Sequence, residues 1–139
     1  QLVSYAGDLT PQQAWEILEA DPSAVLVDCR TRAEWNFVGV PDVAGLGKQT
    51  VFVEWIDYPH GAPNQAFVQQ LSAAGITAES KVLFLCRSGH RSIGAAEAAT
   101  AAGIGEAYNI LEGFEGALDA DGHRGGAGWR ADGLPWRQG

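Results

Sequence analysis

The sequence predicts an α/β domain built on a largely parallel sheet. Compact apolar runs recur along it: AVLVDC (24–29), TVFVEW (50–55), KVLFLC (81–86) and EAYNI (106–110). Stretches with helix caps separate them, the alternation that lays strands side by side in parallel. Both cysteines, Cys29 and Cys86, close such runs, at the carboxyl ends where sheets of this kind bind ligands. About five strands, with helices on both faces, account for the pattern.

Taken in order, Thr10-Pro11-Gln12-Gln13 opens the first helix with a Thr cap, Pro in the first helical position and Gln three residues on. Ala14, Trp15 and Leu18 form its apolar stripe, and Asp21-Pro22 ends it, because Pro disfavours helical geometry in the residue before it. AVLVDC reads as a buried strand. Thr31 caps a short helix over 32–37, with Glu34 as its capping-box partner. TVFVEW is a second strand of the buried kind. YPHGAP (58–63) is a loop by its Pro and Gly content. Asn64 caps a helix through Phe67, Val68 and Leu71, which Gly75 closes in the left-handed conformation. KVLFLC is the next strand, 92–102 the next helix with Gly103 beyond it, and EAYNI the last short strand.

The 139 residues suit one domain, with a core over about 8–115 and a Gly-rich tail at 116–139 that carries Trp129 and Trp136. With 46% apolar residues the chain can build a core without disulfides or metal. The net charge of −8 argues against a general nucleic-acid binder, which needs a basic face. No apolar run approaches the ~18–20 residues of a membrane span. The start, QLVSYAGDL, lacks the features of a secretory signal, so the cytoplasm is the expected compartment. Because the chain begins with Gln1, a targeting segment ahead of it stays open. Two free thiols are expected rather than a structural disulfide.

The chemistry concentrates in residues 86–92, CRSGHRS. Two of the nine basic residues, Arg87 and Arg91, fall there with His90. A loop that runs from a strand into a helix N-terminus directs successive backbone N–H groups and the helix dipole at one spot. A cysteine sulfur held there is favoured as thiolate. Gly89 permits positive φ in mid-loop, and Ser88 and Ser92 offer hydroxyls. A cysteine closing an apolar strand is by itself an ordinary small hydrophobe, but filler does not account for two arginines and a histidine beside it. Cysteine phosphatases and arsenate reductases use a wider Cys-x5-Arg loop, whereas Arg91 comes one residue earlier and Ser92 holds the sixth position. The tighter ring suits one sulfur atom better than a phosphate.

These residues resemble the rhodanese family of single-domain sulfurtransferases. CRSGHRS is similar to its six-residue active-site loop, and VLVDCRTRAEW (25–35) to its first signature, with Asp28, Arg30, Glu34 and Trp35 in the matching places. The resemblance spans about 8–115. It implies that Cys86 takes a sulfur from thiosulfate or a persulfide and passes it to cyanide or a thiol, with an acceptor protein as one option and no metal or organic cofactor. It also implies that Arg87 and Arg91 bind the anion and that His90 tunes the entrance. The sequence departs from the family where Gly39-Val40 replaces Gly-His, and where Glu112 and Ala117 stand in place of a Gly and a Trp. A phosphatase-like thiol enzyme and a non-catalytic binding or sulfide-sensing module are the alternatives.

Asp28 and Arg30 read as an ion-pair network with Glu34 that fixes the loop, substrate contact being the other option. Cys29 reads as packing, or as a resolving thiol should the two strand ends lie close enough for disulfide geometry. His60 and His123 have no second ligand at metal spacing. DADG (119–122) falls short of a calcium loop and reads as a turn. Trp55, Tyr58, Trp129 and Trp136 read as packing, and Phe114 as core.

Overall fold

The computed structural model describes residues 5–56, 63–116, 118, 120–123 and 125–138. Its elements, in chain order, are β1 (Gly7–Leu9), α1 (Pro11–Ala20), β2 (Ala24–Asp28), α2 (Arg32–Phe37), β3 (Val40–Pro41), β4 (Val51–Phe52), α3 (Phe67–Ala73), β5 (Lys81–Leu85), α4 (Arg91–Ala101), β6 (Glu106–Ile110) and β7 (Trp136–Arg137). Five strands form one parallel sheet in the order β1-β6-β5-β2-β4, so β5 lies at its centre. The α/β architecture with a parallel sheet of five strands expected from the sequence is present.

The alternating side chains of β5 explain why both faces are covered. Val82 and Phe84 join the cluster capped by α3 (Phe67, Leu71) and α4 (Ala95, Ala96, Ala99). Leu83 and Leu85 enter the opposite cluster, which α1 covers through Ala14 and Leu18. Each of those two β5 pairs is fully buried, so the strand reads as a continuous apolar run.

Local signals placed the first helices. Thr10 Oγ1 accepts the Gln13 N–H while Gln13 Oε1 accepts the Thr10 N–H, and Thr31 and Glu34 form the same reciprocal cap on α2. Gly75 and Gly103 adopt left-handed φ of 91° and 76° behind α3 and α4.

Several expectations need correction. TVFVEW is not a buried strand: only Val51–Phe52 is strand, at the sheet edge, and Phe52 is 37% exposed. The edge position leaves it one neighbour, β2, and beyond Phe52 the backbone is held by single bonds from Val53 and Trp55 to the Asp28 and Cys29 carbonyls. Asn64 is not the α3 cap. Its carboxamide accepts the Ala66 N–H, a turn that sets up a helix beginning at Phe67. Strand β1 and the antiparallel β3–β7 ribbon were not anticipated. In the tail, Trp129 packs as expected: it is fully buried, edge-on to Trp15 with centroids 5.9 Å apart, and its Nε1 donates to the Pro135 carbonyl at 2.7 Å. Phe114 is core as expected. Tyr58, His60, Ala117 and Asp119 lie outside the described residues. No described helix is long and apolar enough to cross a membrane.

Candidate active site

Cys86 follows the last residue of the central strand, and α4 begins five residues later at Arg91. The loop between them turns back on itself, so the Gly89 N–H donates to Cys86 Sγ at 3.1 Å. Gly89 has φ of 94°, and a β-carbon there would lie 2.8 Å from the Glu112 amide nitrogen. Only glycine fits both demands. Ser92, in the first turn of α4, brings its Oγ to 3.2 Å from Cys86 Sγ and donates to Asn109 Oδ1 on β6. Cys86 itself is 1% exposed, while Arg87 and His90 stand exposed at the rim.

The outer wall of the loop is the turn at residues 112–116. The Phe114 N–H donates to the Cys86 carbonyl at 2.8 Å, and the Glu115 N–H to the Arg87 carbonyl at 2.9 Å. Gly113 sits against those same carbonyls with no room for a side chain. Glu112, the residue that departs from the family's Gly, takes the left-handed conformation a Gly would hold, with φ of 65°. Such a φ is uncommon for a residue with a β-carbon. Val40, the other departure, pairs with Arg137 in the β3–β7 ribbon.

The supporting residues divide into two pairs, not one network. Arg30 Nε and Nη2 donate to the Asp28 carboxylate at 2.9 and 2.7 Å, Nη2 also reaches the Gly39 carbonyl at 2.7 Å, and the guanidinium lies 4.3 Å over the Phe114 ring. Both side chains are fully buried, so this pair ties the end of β2 to the 112–116 turn. Glu34 belongs elsewhere. Its two carboxylate oxygens accept from Arg91 Nη1 and Nη2, each at 2.8 Å, bridging α2 to the start of α4. Burial raises the Glu34 carboxyl, but hydrogen bonds from Arg91 and from the Thr31 N–H outweigh it and hold the group below its ordinary value. Arg91 is pushed up: burial opposes its charge, and the Glu34 bonds, with Cys86 and Cys29 nearby, more than restore it. Two of the Arg91 nitrogens are thus already engaged, which leaves Arg87 as the more available cation at the rim.

Cys29 lies one residue beyond the Asp28–Leu85 register pair and shares the buried cluster of Cys86. Its thiol donates to the Leu85 carbonyl at 3.3 Å, and the two cysteines are unlinked. Burial, then Cys86 and Asp28, push the Cys29 thiol well above its ordinary value. Among the described residues no group of three His, Cys, Asp or Glu is placed to hold a metal. A groove of about 600 Å³ runs along β4, the segment before α3 and the end of α3, lined among others by Arg32, Trp35, Phe52 and Glu54. The Cys86 loop does not line it, and no nucleophile does, so the thiol marks the candidate site and the groove does not.

Gly89 and Ser92 come together around Cys86 Sγ, while Ser88 lies in the same loop with no described hydrogen bond to it. Asn109 and Asp8, which complete the hydrogen bonding behind Ser92, were missed, because nothing local marks a strand asparagine as a partner of a loop 17 residues earlier.

A parallel sheet whose central strand delivers a cysteine to the mouth of the next helix, with helices on both faces, defines a rhodanese-like domain. The chain belongs to the family described as the STR4 middle domain, which matches residues 6–139. It is similar to the structure of Rv0390 from M. tuberculosis, at 59% identity and a TM-score of 0.89, over 97% of this chain and 99% of that one. It is 36% identical over 126 residues to the uncharacterized protein RC0915 of Rickettsia conorii, covering 90% of this chain and 92% of that protein. The rhodanese-like domain-containing protein 4, chloroplastic, of Arabidopsis thaliana is 29% identical over 127 residues, which make up 90% of this chain and 24% of that protein.

Proposed function

We propose that the protein is a sulfurtransferase that carries a sulfane sulfur on Cys86. The observation that carries the reading is the seat of Cys86 Sγ: at the end of the central strand, against the α4 N-terminus, with the Gly89 N–H directed at it from 3.1 Å. A partial positive charge at a helix N-terminus favours an anionic sulfur, whether thiolate or persulfide. In the first half-reaction the Cys86 thiol attacks the outer sulfur of thiosulfate. A sulfur–sulfur bond forms, the one in thiosulfate breaks, sulfite leaves with the thiol proton, and Cys86 holds an anionic persulfide. In the second, cyanide or an acceptor thiol takes that terminal sulfur and returns the Cys86 thiolate. Exposed Arg87 and His90 at the rim would receive the anionic donor, while Arg91, held by Glu34, contributes charge and position. The span of only four residues between Cys86 and α4 supports sulfur over phosphate, since a tetrahedral oxyanion needs a wider ring.

Intact and peptide mass spectrometry after incubation with thiosulfate tests this. The wild type should gain one sulfur on the peptide that carries Cys86 and lose it as thiocyanate on a cyanide chase, and Cys86→Ser should do neither. Absence of sulfur uptake from both thiosulfate and a persulfide donor would overturn the proposal.

A further inference from the structure

Behind Cys86 runs a chain of hydrogen bonds whose direction follows from chemistry alone. Asp8, on β1, presents Oδ1 to Asn109 Nδ2 at 3.0 Å, and the same oxygen accepts the Tyr5 hydroxyl at 2.9 Å. An ionised carboxylate has only acceptors to offer, so the Asn109 amide must turn its NH2 towards Asp8. Its carbonyl oxygen then faces Ser92, whose single hydroxyl proton is committed to it. What remains of Ser92 Oγ towards Cys86 Sγ, 3.2 Å away, is a lone pair. Asn109 and Ser92 are fully buried, so no water competes for these groups.

We propose that Asp8, acting through Asn109, sets Ser92 as a hydrogen-bond acceptor for the resting Cys86 thiol, and that the hydroxyl turns to donate to sulfur only when sulfur bears the charge. Asp8 and Asn109 are therefore positioning residues for the nucleophile. The inference rests on Cys86 being that nucleophile. In the resting state the thiol donates to Ser92 Oγ. When sulfite departs with the thiol proton, Sγ becomes the inner, uncharged sulfur of the persulfide and Ser92 keeps its bond to Asn109. After sulfur is handed on, the bare thiolate draws the Ser92 proton, leaving the Asn109 carbonyl without its donor until Cys86 is protonated again. The other titratable groups around Cys86 are Arg91 on α4, its partner Glu34 on α2, Cys29 at the end of β2, and Arg87 and His90 in the loop. None of them has a described hydrogen bond to the Ser92 hydroxyl.

The test is the pH profile of iodoacetamide alkylation at Cys86, read by peptide mass spectrometry on the full chain, so it does not depend on sulfur transfer. Asp8→Lys replaces an acceptor by a donor at an exposed position. Asn109 must then present its carbonyl to Lys and its NH2 to Ser92, and the Ser92 proton is freed for sulfur. The profile should move to lower pH by roughly half to one unit, the worth of one hydrogen bond. Asp8→Asn keeps an acceptor oxygen and should restore the wild-type profile. In a Ser92→Ala background, Asp8→Lys should cause no shift. A shift that persists without Ser92 would be the charge of the lysine alone and would overturn the proposal, as would an Asp8→Lys profile unmoved or moved to higher pH. Should the wild type take up no sulfur, the sulfurtransferase reading fails while this profile still reports on the relay.

Discussion

Glu34→Gln offers the sharpest test of how the active-site loop is held. The pair it breaks is bidentate, with two contacts of 2.8 Å, and the side chains of Arg91 and Glu34 are only 25% and 16% exposed. Exposed pairs contribute about 0–1 kcal/mol. Removing one partner of a fully buried pair costs about 3–5 kcal/mol. This half-buried clamp belongs between them, and Gln retains one acceptor oxygen, so the expected loss is about 2 kcal/mol near neutral pH. The pH dependence has a definite sign. The Glu34 carboxyl is held lower in the folded protein than its ordinary value of 4.5. Its contribution is therefore fully present above the unfolded value and is lost as pH falls through the folded one. Urea unfolding of wild type and Glu34→Gln, followed at about pH 7 and then stepwise below about pH 5, should show a gap that closes with acid. A loss under about 0.5 kcal/mol near neutrality, or a gap that stays constant down to the lowest pH at which both fold, would refute the clamp.

Two further outcomes test parts of the structure that the active-site chemistry does not. Trp129→Ala removes a fully buried indole together with its bond to the Pro135 carbonyl, and should cost about 3–5 kcal/mol in denaturant unfolding, where a tail lying loosely on the surface would lose almost nothing. Cys29 donates its proton to the Leu85 carbonyl and is held as a thiol, so brief iodoacetamide treatment of the native chain should label Cys86 and spare Cys29, with Cys29 labelled only in denaturant. Equal labelling of the two in the native chain would contradict that environment.

Much of this was legible in the chain because the code is local. Both capping boxes are read from residues three apart, and the closing glycines of α3 and α4 from single positions. The candidate site was legible for the same reason: Cys86, Gly89 and Ser92 lie within seven consecutive residues. The sequence pattern failed where an apolar run says only that it is buried somewhere. TVFVEW has the composition of a central strand and lies at an edge, since which strand gets two neighbours is settled by crossovers elsewhere. Strand β1, three residues with a Gly at its head, has no run to recognise, yet pairs with β6 across about a hundred positions.

By itself, then, the sequence determined the α/β class, the strand that ends in Cys86 and the turn that aims an amide at its sulfur, all features encoded within a few residues of one another. Tertiary structure alone decided what surrounds that sulfur. Arg91 is held by Glu34, 57 residues away. The orientation of Ser92 is set through Asn109 by Asp8, 101 residues from it. The physical reason is that a hydrogen bond between distant residues depends on which strands become neighbours, and the whole chain contributes to that choice.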